Sequence, residues 1–332
     1  MIISRTPFRI SFFGGGTDYP VWYRDNGGAV LATAIDKYCY ISCRYLPPFF
    51  EHKHRIVYSL IENVKDISEI KHPAVKAILE YMAVTSGVEI HHDGDLPART
   101  GLGSSSSFTV GLLHAIYALK GIMPTKMRLA TEAIHVEQNI IKENVGSQDQ
   151  VSAAFGGFNV ISFNSDNSIQ VKPVIMCGDR LNQLKNHLMF YFTGFSRTAS
   201  EIAKKQIEAT PKKKTELSTM HKMVDEAMAI LTNEQTDVIE FGKLLHESWK
   251  LKRSLTDKIS TSEIDGIYEE ARRAGAIGGK LLGAGGGGFM IIFAKPEVQL
   301  RVGERLKGLL RVPFDFESSG SQIIVYQPNG IH

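Results

Sequence analysis

Cysteine, net charge and long apolar runs are all scarce in this 332-residue sequence. The three cysteines, Cys39, Cys43 and Cys177, cannot all pair within the chain and form no CxxC, so reduced thiols in an intracellular protein are expected. Arg5 and Arg9 stand where a signal peptide would need an apolar core, and no stretch approaches the ~20 apolar residues of a membrane span. We therefore expect a soluble, cytoplasmic protein with no membrane partner.

Acidic and basic residues nearly balance, with 38 Lys and Arg against 35 Asp and Glu, a net charge of +3. This small excess does not call for a nucleic acid or an anionic membrane as partner, and it is compatible with small anionic ligands. Hydrophobic residues make up 43% of the chain, enough for an ordinary globular core. A chain of this length suits two domains that share a cleft.

The order of predicted elements indicates an α+β protein. Strand-like segments dominate the first ninety residues, and helices mixed with strands follow. We place the domains at residues 1–180 and 181–332, because the sequence becomes more helical and more charged between 165 and 190. The predicted strands are 28–46, 56–60, 88–92, 158–163, 188–193, 289–293 and 322–326, and the predicted helices are 72–84, a helix opened by the cluster at 101–107, 127–142, 217–231, 237–255, 264–274 and 296–310.

The first segment that suggests chemistry is Thr6–Tyr19, where a strand-like stretch runs into three glycines at 14–16. Adjacent glycines let a backbone approach another group closely. Arg9 and Asp18 flank them and could face the same space. A glycine-rich turn with a solvent-exposed ion pair is the alternative interpretation.

The second segment is PARTGLGSSSS, residues 97–107, which directly precedes a predicted helix. Its glycines free backbone N–H groups, its serines add hydroxyl donors, and the helix N-terminus favours negative charge, so the segment predicts a phosphate site. It is not a Walker A loop, because no GK[ST] follows, and it lacks the third glycine of GxGxxG. A helix start with more capping serines than it needs is the alternative.

The third segment, residues 278–289, places four adjacent glycines before a strand. Four glycines give up folding entropy, so the segment favours a close contact with a ligand or another segment. A flexible turn is the alternative.

Two carboxylates accompany these segments. Glu137 falls within the apolar stripe of the helix 127–142, and a buried carboxylate must be paired with Lys or Arg or bind a cation such as Mg²⁺. Asp149 lies in the turn-like stretch Gly146–Gln150, where it is either an ordinary turn residue or a group that handles a proton. Phosphate-binding amides, two carboxylates and an arginine are together what phosphoryl transfer needs.

In this order and at this spacing, the segments resemble the three motifs of the GHMP kinases. PARTGLGSSSS matches the family's PxxxGLGSSxx phosphate loop, KLLGAGGGGF matches its C-terminal glycine motif, and TPFRISFFGGGTDYP is similar to the sugar-kinase form of its first motif. The resemblance covers essentially the whole chain. It implies a two-domain α+β fold, with an N-terminal domain like ribosomal protein S5 domain 2, a ferredoxin-like C-terminal domain and an active site between them.

The resemblance also implies roles for individual residues. Asp149 would accept or orient the proton of the attacking hydroxyl, and Arg9 would lower the pKa of that hydroxyl and steady the charge of the transition state. Ser105 and Glu137 would bind Mg²⁺. The loop that would wrap the phosphates of ATP consists of Gly101, Leu102, Gly103, Ser104, Ser105, Ser106 and Ser107. The residues that would contact the acceptor are Gly15, Gly16, Thr17, Asp18, Gly285, Gly286 and Gly287.

The sequence departs from galactokinases, because residues 14–18 read GGGTD in place of GEHTD. With NVGSQDQ and TGFSR, the pattern most resembles the D-glycero-D-manno-heptose 7-phosphate kinases, which phosphorylate the anomeric hydroxyl of a sugar phosphate. A fucose-1-kinase and a catalytically silent sugar sensor stay open as alternatives, as does a homodimer. A 7-phosphate would need cations, for which the candidates are Arg197 and Lys252, followed by Arg99, Arg253 and Lys280.

Overall fold

A computed structural model describes residues 1–98, 100–194 and 199–328 of the chain. Within these ranges the strands form two sheets. In chain order the strands are β1 (Ile2–Phe13), β2 (Gly28–Tyr45), β3 (His54–Val57), β4 (Ile61–Val64), β5 (Val88–Gly94), β6 (Phe158–Phe163), β7 (Ile169–Pro173), β8 (Leu188–Phe192), β9 (Gly278–Leu281), β10 (Phe289–Phe293), β11 (Leu310–Arg311), β12 (Phe316–Glu317) and β13 (Gln322–Tyr326).

Helices account for most of the remaining regular structure. A π-helical turn, Val136–Ile140, extends the fourth helix, and short 3₁₀ turns stand at Ile67–Glu69, Thr210–Lys212 and Pro296–Val298. The α-helices are α1 (Pro20–Asn26), α2 (Pro73–Tyr81), α3 (Ser104–Leu119), α4 (Lys126–His135), α5 (Gln148–Phe155), α6 (Gly178–Asn186), α7 (Ala199–Ala209), α8 (Lys214–Thr232), α9 (Ile239–Leu255), α10 (Ser262–Arg273) and α11 (Gln299–Arg305).

The long strand β2 organises the first sheet. It pairs antiparallel with β1 along most of its length, and on its other side with β6 over its first half and β5 over its second half. The strand order is β13-β1-β2-β5-β3-β4; in addition, β6 and β12 pair with β2, and β7 pairs with β6. The helix α3 packs on β1 and β2 and is almost wholly buried. Its start is therefore fixed beside β1, the strand that carries Arg9.

The second sheet has the order β11-β8-β10-β9 and is antiparallel throughout the described residues. It meets the first sheet through an aromatic cluster. The ring of Phe241, on α9, lies 5.1 Å from that of Phe13 and 5.4 Å from that of Phe12, both at the end of β1. This contact holds α9 and β9 against β1, so residues from both sheets can face one cleft.

The fold class is confirmed as α+β, with strands and helices of both halves arranged around that cleft. The last strands return to the first sheet, where β13 pairs with β1 and β12 with β2. We propose a domain boundary at residue 180, as expected from the sequence, except that residues 316–326 return to the first domain and join its sheet. Composition along the chain gives no sign of such a return, because pairing between distant strands is a tertiary property.

Several predicted elements are confirmed and others are wrong in their bounds. The strands at 158–163, 289–293 and 322–326 match to the residue. The helix predicted at 127–142 ends as an α-helix at His135 and continues as the π-helical turn that holds Glu137. The stretch around Asp149, expected to be a turn, is the first turn of α5, a helix of eight residues that is too short to show a clear period.

Candidate active site

Arg9 and Asp149 form an ion pair in a cleft bounded by β1 and the starts of α3 and α5. Arg9 Nη2 lies 2.7 Å from Asp149 Oδ1, and Arg9 Nε donates to the same oxygen at 2.8 Å. Arg9 Nη1 donates to the carbonyl of Gly101 at 2.6 Å, which ties the pair to the loop before α3. The Arg9 side chain is 4% exposed and that of Asp149 26%, so the guanidinium is held inside while the carboxylate reaches the cleft.

The glycine and serine loop enters α3 without a capping side chain. Gly103 is the N-cap residue, with a φ of +74° that favours glycine, and no side chain caps the helix there. The alternative of surplus capping serines is therefore wrong, and the uncapped helix start favours an anion. Ser104 and Ser105 line the cleft. The amide of Ser107 already donates to the Gly103 carbonyl at 2.8 Å, so the predicted loop ends one residue earlier.

Asp18 is buried in the lining of the same cleft. Its Oδ1 accepts from the Gly16 amide at 2.9 Å, and its Oδ2 accepts from Gln148 Nε2 at 2.9 Å. Burial raises the pKa of the Asp18 carboxyl, and the charge of Asp149 acts in the same direction. A Cβ on Gly146 would stand 1.9 Å from Asp18 Oδ2, so only glycine leaves room for the carboxylate at that position.

Glu137 lies behind the phosphate loop and is fully buried. Its Oε2 accepts from Ser106 Oγ at 2.9 Å and from Gln150 Nε2 at 2.6 Å, while its Oε1 has no hydrogen-bond partner among the described residues. Burial raises the pKa of Glu137 to about 7, against the opposing effect of the nearby Thr109, Ser106 and Gln150 side chains. The π-helical turn that carries Glu137 is a distortion frequently found at functional sites.

Two buried lysines face the same cleft from the second half of the chain. Lys252, on α9, donates to the carbonyl of Gly283, and Lys280, on β9, donates to that of Phe12 at 2.8 Å. Neither has a carboxylate partner among the ion pairs of the described residues. Burial, followed by the charge of Arg9, lowers the pKa of Lys252 to about 8. Burial and the charges of Lys252 and Arg9 hold the pKa of Lys280 well below its usual range.

The third glycine segment packs against the phosphate loop. A Cβ on Gly283 would lie 2.3 Å from the Cα of Gly101, so these two backbones touch. Gly286 donates its amide to the Ile259 carbonyl at 2.9 Å, and a Cβ on Gly285 would meet Ile259 at 2.7 Å. The glycines are therefore required for close backbone contact, and the alternative of a flexible turn is wrong.

The structure brings most of the predicted site residues into one cleft. Three predictions differ in detail. The first is that Gly283 and Ala284 line the cleft in place of residues 285–287. The Thr17 hydroxyl is buried within its own turn, 2.8 Å from the Gly14 carbonyl. Two loop side chains also point inward, since Leu102 is in the core and Ser107 Oγ donates to Pro7. The predicted residues that line the cleft are Arg9, Gly15, Gly16, Asp18, Gly101, Gly103, Ser104, Ser105, Asp149, Lys252 and Lys280.

Arg197 and Arg99, two candidates for an anion pocket, lie outside the described residues. The sequence reasoning missed Ser11 and Gln148, which both line the cleft. Ser11 could have been found, because a residue two places from Arg9 on a strand lies on the same face. Gln148 carried no signal beyond its place next to Asp149.

Within the described parts of the chain, no helix is long and apolar enough to cross a bilayer. Those parts also contain no group of three or more His, Cys, Asp and Glu placed to hold a metal ion.

Comparison with known proteins identifies the family. The GHMP kinase N-terminal domain model matches residues 68–157, and the GHMP kinase C-terminal model matches residues 227–309, which together are more than half of the chain. The chain belongs to the GHMP kinase family. As in the sequence resemblance, the first model contains the phosphate loop and the second contains the third glycine segment.

Individual GHMP kinases resemble the chain over nearly its whole length. The D-glycero-alpha-D-manno-heptose 7-phosphate kinase of Campylobacter jejuni is 28% identical over 309 residues, which are 89% of this chain and 90% of that protein. The mevalonate kinase of Pyrococcus abyssi is 25% identical, covering 92% of each chain. The crystal structure of a D-glycero-D-manno-heptose 1-phosphate kinase from Bacteroides thetaiotaomicron has a TM-score of 0.79 at 23% identity, over 98% of this chain and all of that one. This last likeness confirms the two-domain GHMP kinase fold.

Proposed function

We propose that this GHMP kinase transfers the γ-phosphoryl group of ATP to the anomeric hydroxyl of D-glycero-D-manno-heptose 7-phosphate. The product would be the 1,7-bisphosphate, in the cytoplasmic synthesis of nucleotide-activated heptose. The observation that carries the proposal is the Arg9–Asp149 pair, which stands between an uncapped helix start and the buried Asp18. The similarity to the C. jejuni heptose 7-phosphate kinase supports this choice of substrate.

ATP would bind with its phosphates at the start of α3. The loop 101–106 supplies backbone amides, and the helix dipole favours negative charge at that end. Gly101 and Gly103 have positive φ values, +83° and +74°, which curve the backbone around the place where a phosphate would lie. Ser104 and Ser105 line the same wall and add hydroxyl donors.

The residues around Glu137 fit a magnesium ion. Glu137 Oε1 is buried without a partner among the described residues, which leaves one carboxylate oxygen for a cation. Mg²⁺ typically takes one or two protein carboxylates and completes its shell with water and substrate phosphates. Ser105 stays the proposed hydroxyl ligand, and Ser106 is a second hydroxyl already bonded to this carboxylate. When bound, Mg²⁺ would neutralise charge on the phosphates during transfer.

Asp149 would accept the proton of the anomeric hydroxyl as that oxygen attacks the γ-phosphorus. Its Oδ1 is held by Arg9, and its Oδ2 lies beside Gly103, at the side of the phosphate loop. Arg9 would keep the carboxylate in this orientation and stabilise the charge that develops on the transferred group. The pair thus places proton acceptance and charge stabilisation at one point in the cleft.

The acceptor would lie between Asp18 and the second sheet. Asp18, Gly15 and Gly16 line that wall, and Thr17 supports their turn from within. Lys252, which lines the cleft, would bind the phosphate of the sugar, and Arg197 is predicted to contribute a second cation there. The segment 285–287 would act on the acceptor end indirectly, by holding the loop that presents Gly283 and Ala284.

The test is ADP release from Mg-ATP with heptose 7-phosphate, mannose 6-phosphate, fucose, galactose and mevalonate. Turnover confined to the heptose phosphate supports the proposal. Turnover of free fucose would keep the kinase chemistry and replace the substrate, by a sugar that carries no phosphate. Binding of ATP without turnover of any acceptor would overturn the proposed activity on these sugars and favour a sugar sensor.

A further inference from the structure

Two buried polar atoms in the wall of the cleft lack a hydrogen-bond partner among the described residues. They are Ser11 Oγ, on β1, and Gln148 Oε1, at the start of α5. Ser11 is 5% exposed and Gln148 9% exposed. Buried polar atoms without a partner cost free energy and are rare in folded proteins. Each of these atoms is therefore placed to bond a ligand that enters the cleft.

The side chain of Gln148 has a fixed direction. Its Nε2 donates to Asp18 Oδ2 at 2.9 Å, while the Gly16 amide donates to Asp18 Oδ1. Because Gln148 Nε2 is the amide atom that bonds Asp18, the amide oxygen faces away from that carboxyl group. Gln148 Oε1 is thus an acceptor that sits one amide width from the carboxylate of Asp18.

Ser11 lines the same cleft from β1. It is two residues beyond Arg9 on β1, so both side chains leave the same face of the strand. Its hydroxyl can donate or accept, and it lines the same cleft as Gln148 and Lys280. The cleft therefore offers an uncharged hydroxyl on the same strand face as Arg9.

We propose that Gln148 and Ser11 recognise hydroxyl groups of the acceptor. Gln148 Oε1 accepts from the hydroxyl adjacent to the one held by Asp18, and Ser11 Oγ bonds a further hydroxyl. This inference rests on the proposed function and deepens it, since it assigns the acceptor to the class of sugars with vicinal hydroxyls. Gln148 is a specificity-determining residue in this account and takes no proton in the reaction.

The experiment compares wild type with Gln148→Met, which keeps the side-chain length and removes both hydrogen bonds. Initial rates are measured with the sugar that wild type phosphorylates and with its monodeoxy analogues. We expect one deoxy analogue to lower kcat/KM of wild type by about tenfold or more, because the site loses a bonded hydroxyl. The same analogue should cost Gln148→Met about threefold or less, since the partner of that hydroxyl is already gone. The KM for ATP should stay within about twofold.

Ser11→Ala provides a second, smaller change and should relieve the penalty for a different deoxy analogue. Gln170→Met, at an exposed position of β7, is the matched control and should keep every penalty of wild type. If Gln148→Met and Ser11→Ala keep all wild-type penalties, both residues are structural and the inference is overturned while the sugar-kinase proposal stands. If mevalonate is turned over and no sugar is, the proposed function fails, and the inference falls with it.

Discussion

Replacement of Asp149 by asparagine tests the centre of the proposed reaction with almost no change in shape. The amide oxygen of the introduced asparagine can still accept from Arg9 Nε and Nη2, which bond Asp149 Oδ1 at 2.8 and 2.7 Å in the wild type. The carboxylate that would take the proton is lost. Proton transfer by a positioned side chain contributes about 10²- to 10⁴-fold to a rate, so we expect kcat to fall by that factor. ADP release under saturating Mg-ATP and acceptor measures it.

The same substitution should also cost stability, by an amount that the geometry sets. Arg9 is almost wholly buried, and removal of the carboxylate that pairs with it leaves its charge beside Lys252 and Lys280. Breaking a buried pair costs about 3–5 kcal/mol in general. Because asparagine keeps one acceptor and Asp149 is a quarter exposed, we expect a loss of about 1–3 kcal/mol, measured by urea unfolding. Asp149→Ala, which keeps no acceptor, should cost more.

Asp179→Asn is the matched control. Asp179 lies in the first turn of α6, as Asp149 lies in the first turn of α5, but Asp179 is exposed and outside the cleft. It should leave both the rate and the unfolding midpoint unchanged. ATP should bind Asp149→Asn with an affinity within a few-fold of wild type, because the phosphate loop is untouched. A variant that keeps its rate within about threefold, with folding intact, would remove Asp149 from the chemistry and refute the reasoning.

Three further substitutions test other parts of the cleft. Glu137→Gln should raise the Mg²⁺ concentration for half-maximal turnover about tenfold or more, whereas Glu132→Gln on α4 should not; an unchanged Mg²⁺ titration would make Glu137 structural. Gly146→Ala places a Cβ 1.9 Å from Asp18 Oδ2 and should raise the acceptor KM but not the KM for ATP; Gly266→Ala, with open space around it, is its control. Burial lowers the pKa of Lys252 from 10.5 to about 8, so the folded protein loses this proton at a lower pH than the unfolded chain. Between pH 8 and 10.5 the free energy of unfolding of wild type should therefore rise by up to about 3 kcal/mol relative to that of Lys252→Met. A pH-independent difference between the two proteins in urea unfolding would contradict this.

The sequence predicts the parts of the site that use unusual runs of residues. Three glycine-rich segments and four consecutive serines have no common use in a stable core, so their chemistry could be inferred from the chain alone. The structure places all three segments at one cleft, with Gly283 touching Gly101. The roles that we propose for Arg9 and Asp149 follow from their positions beside such segments, and the resemblance to the family rests on the same residues.

The residues that were missed look ordinary in sequence and depend on tertiary contacts. Gln148 becomes a candidate for hydrogen bonding to the substrate only because α5 turns its amide toward Asp18, a residue 130 positions earlier. Gly146 resembles any loop glycine until the carboxylate of Asp18 fills the place of its Cβ. Likewise, the inward turn of Thr17 follows from its hydrogen bond to Gly14, which no composition or period predicts.

The buried charges of the cleft reduce the stability of the folded state. Arg9, Lys252 and Lys280 bring three cations to a cleft whose lining also holds three carboxylates, those of Asp18, Glu143 and Asp149. Burial and the charges of neighbouring cations lower the pKa of both lysines, so the folded protein disfavours their charged forms. An anion bound in the cleft would raise the pKa of both lysines. The lysines would then take up protons from solution as the anion binds. A core that only needed to be stable would not bury two lysines on single backbone carbonyls, so Lys252 and Lys280 support the phosphorylated ligands that we propose.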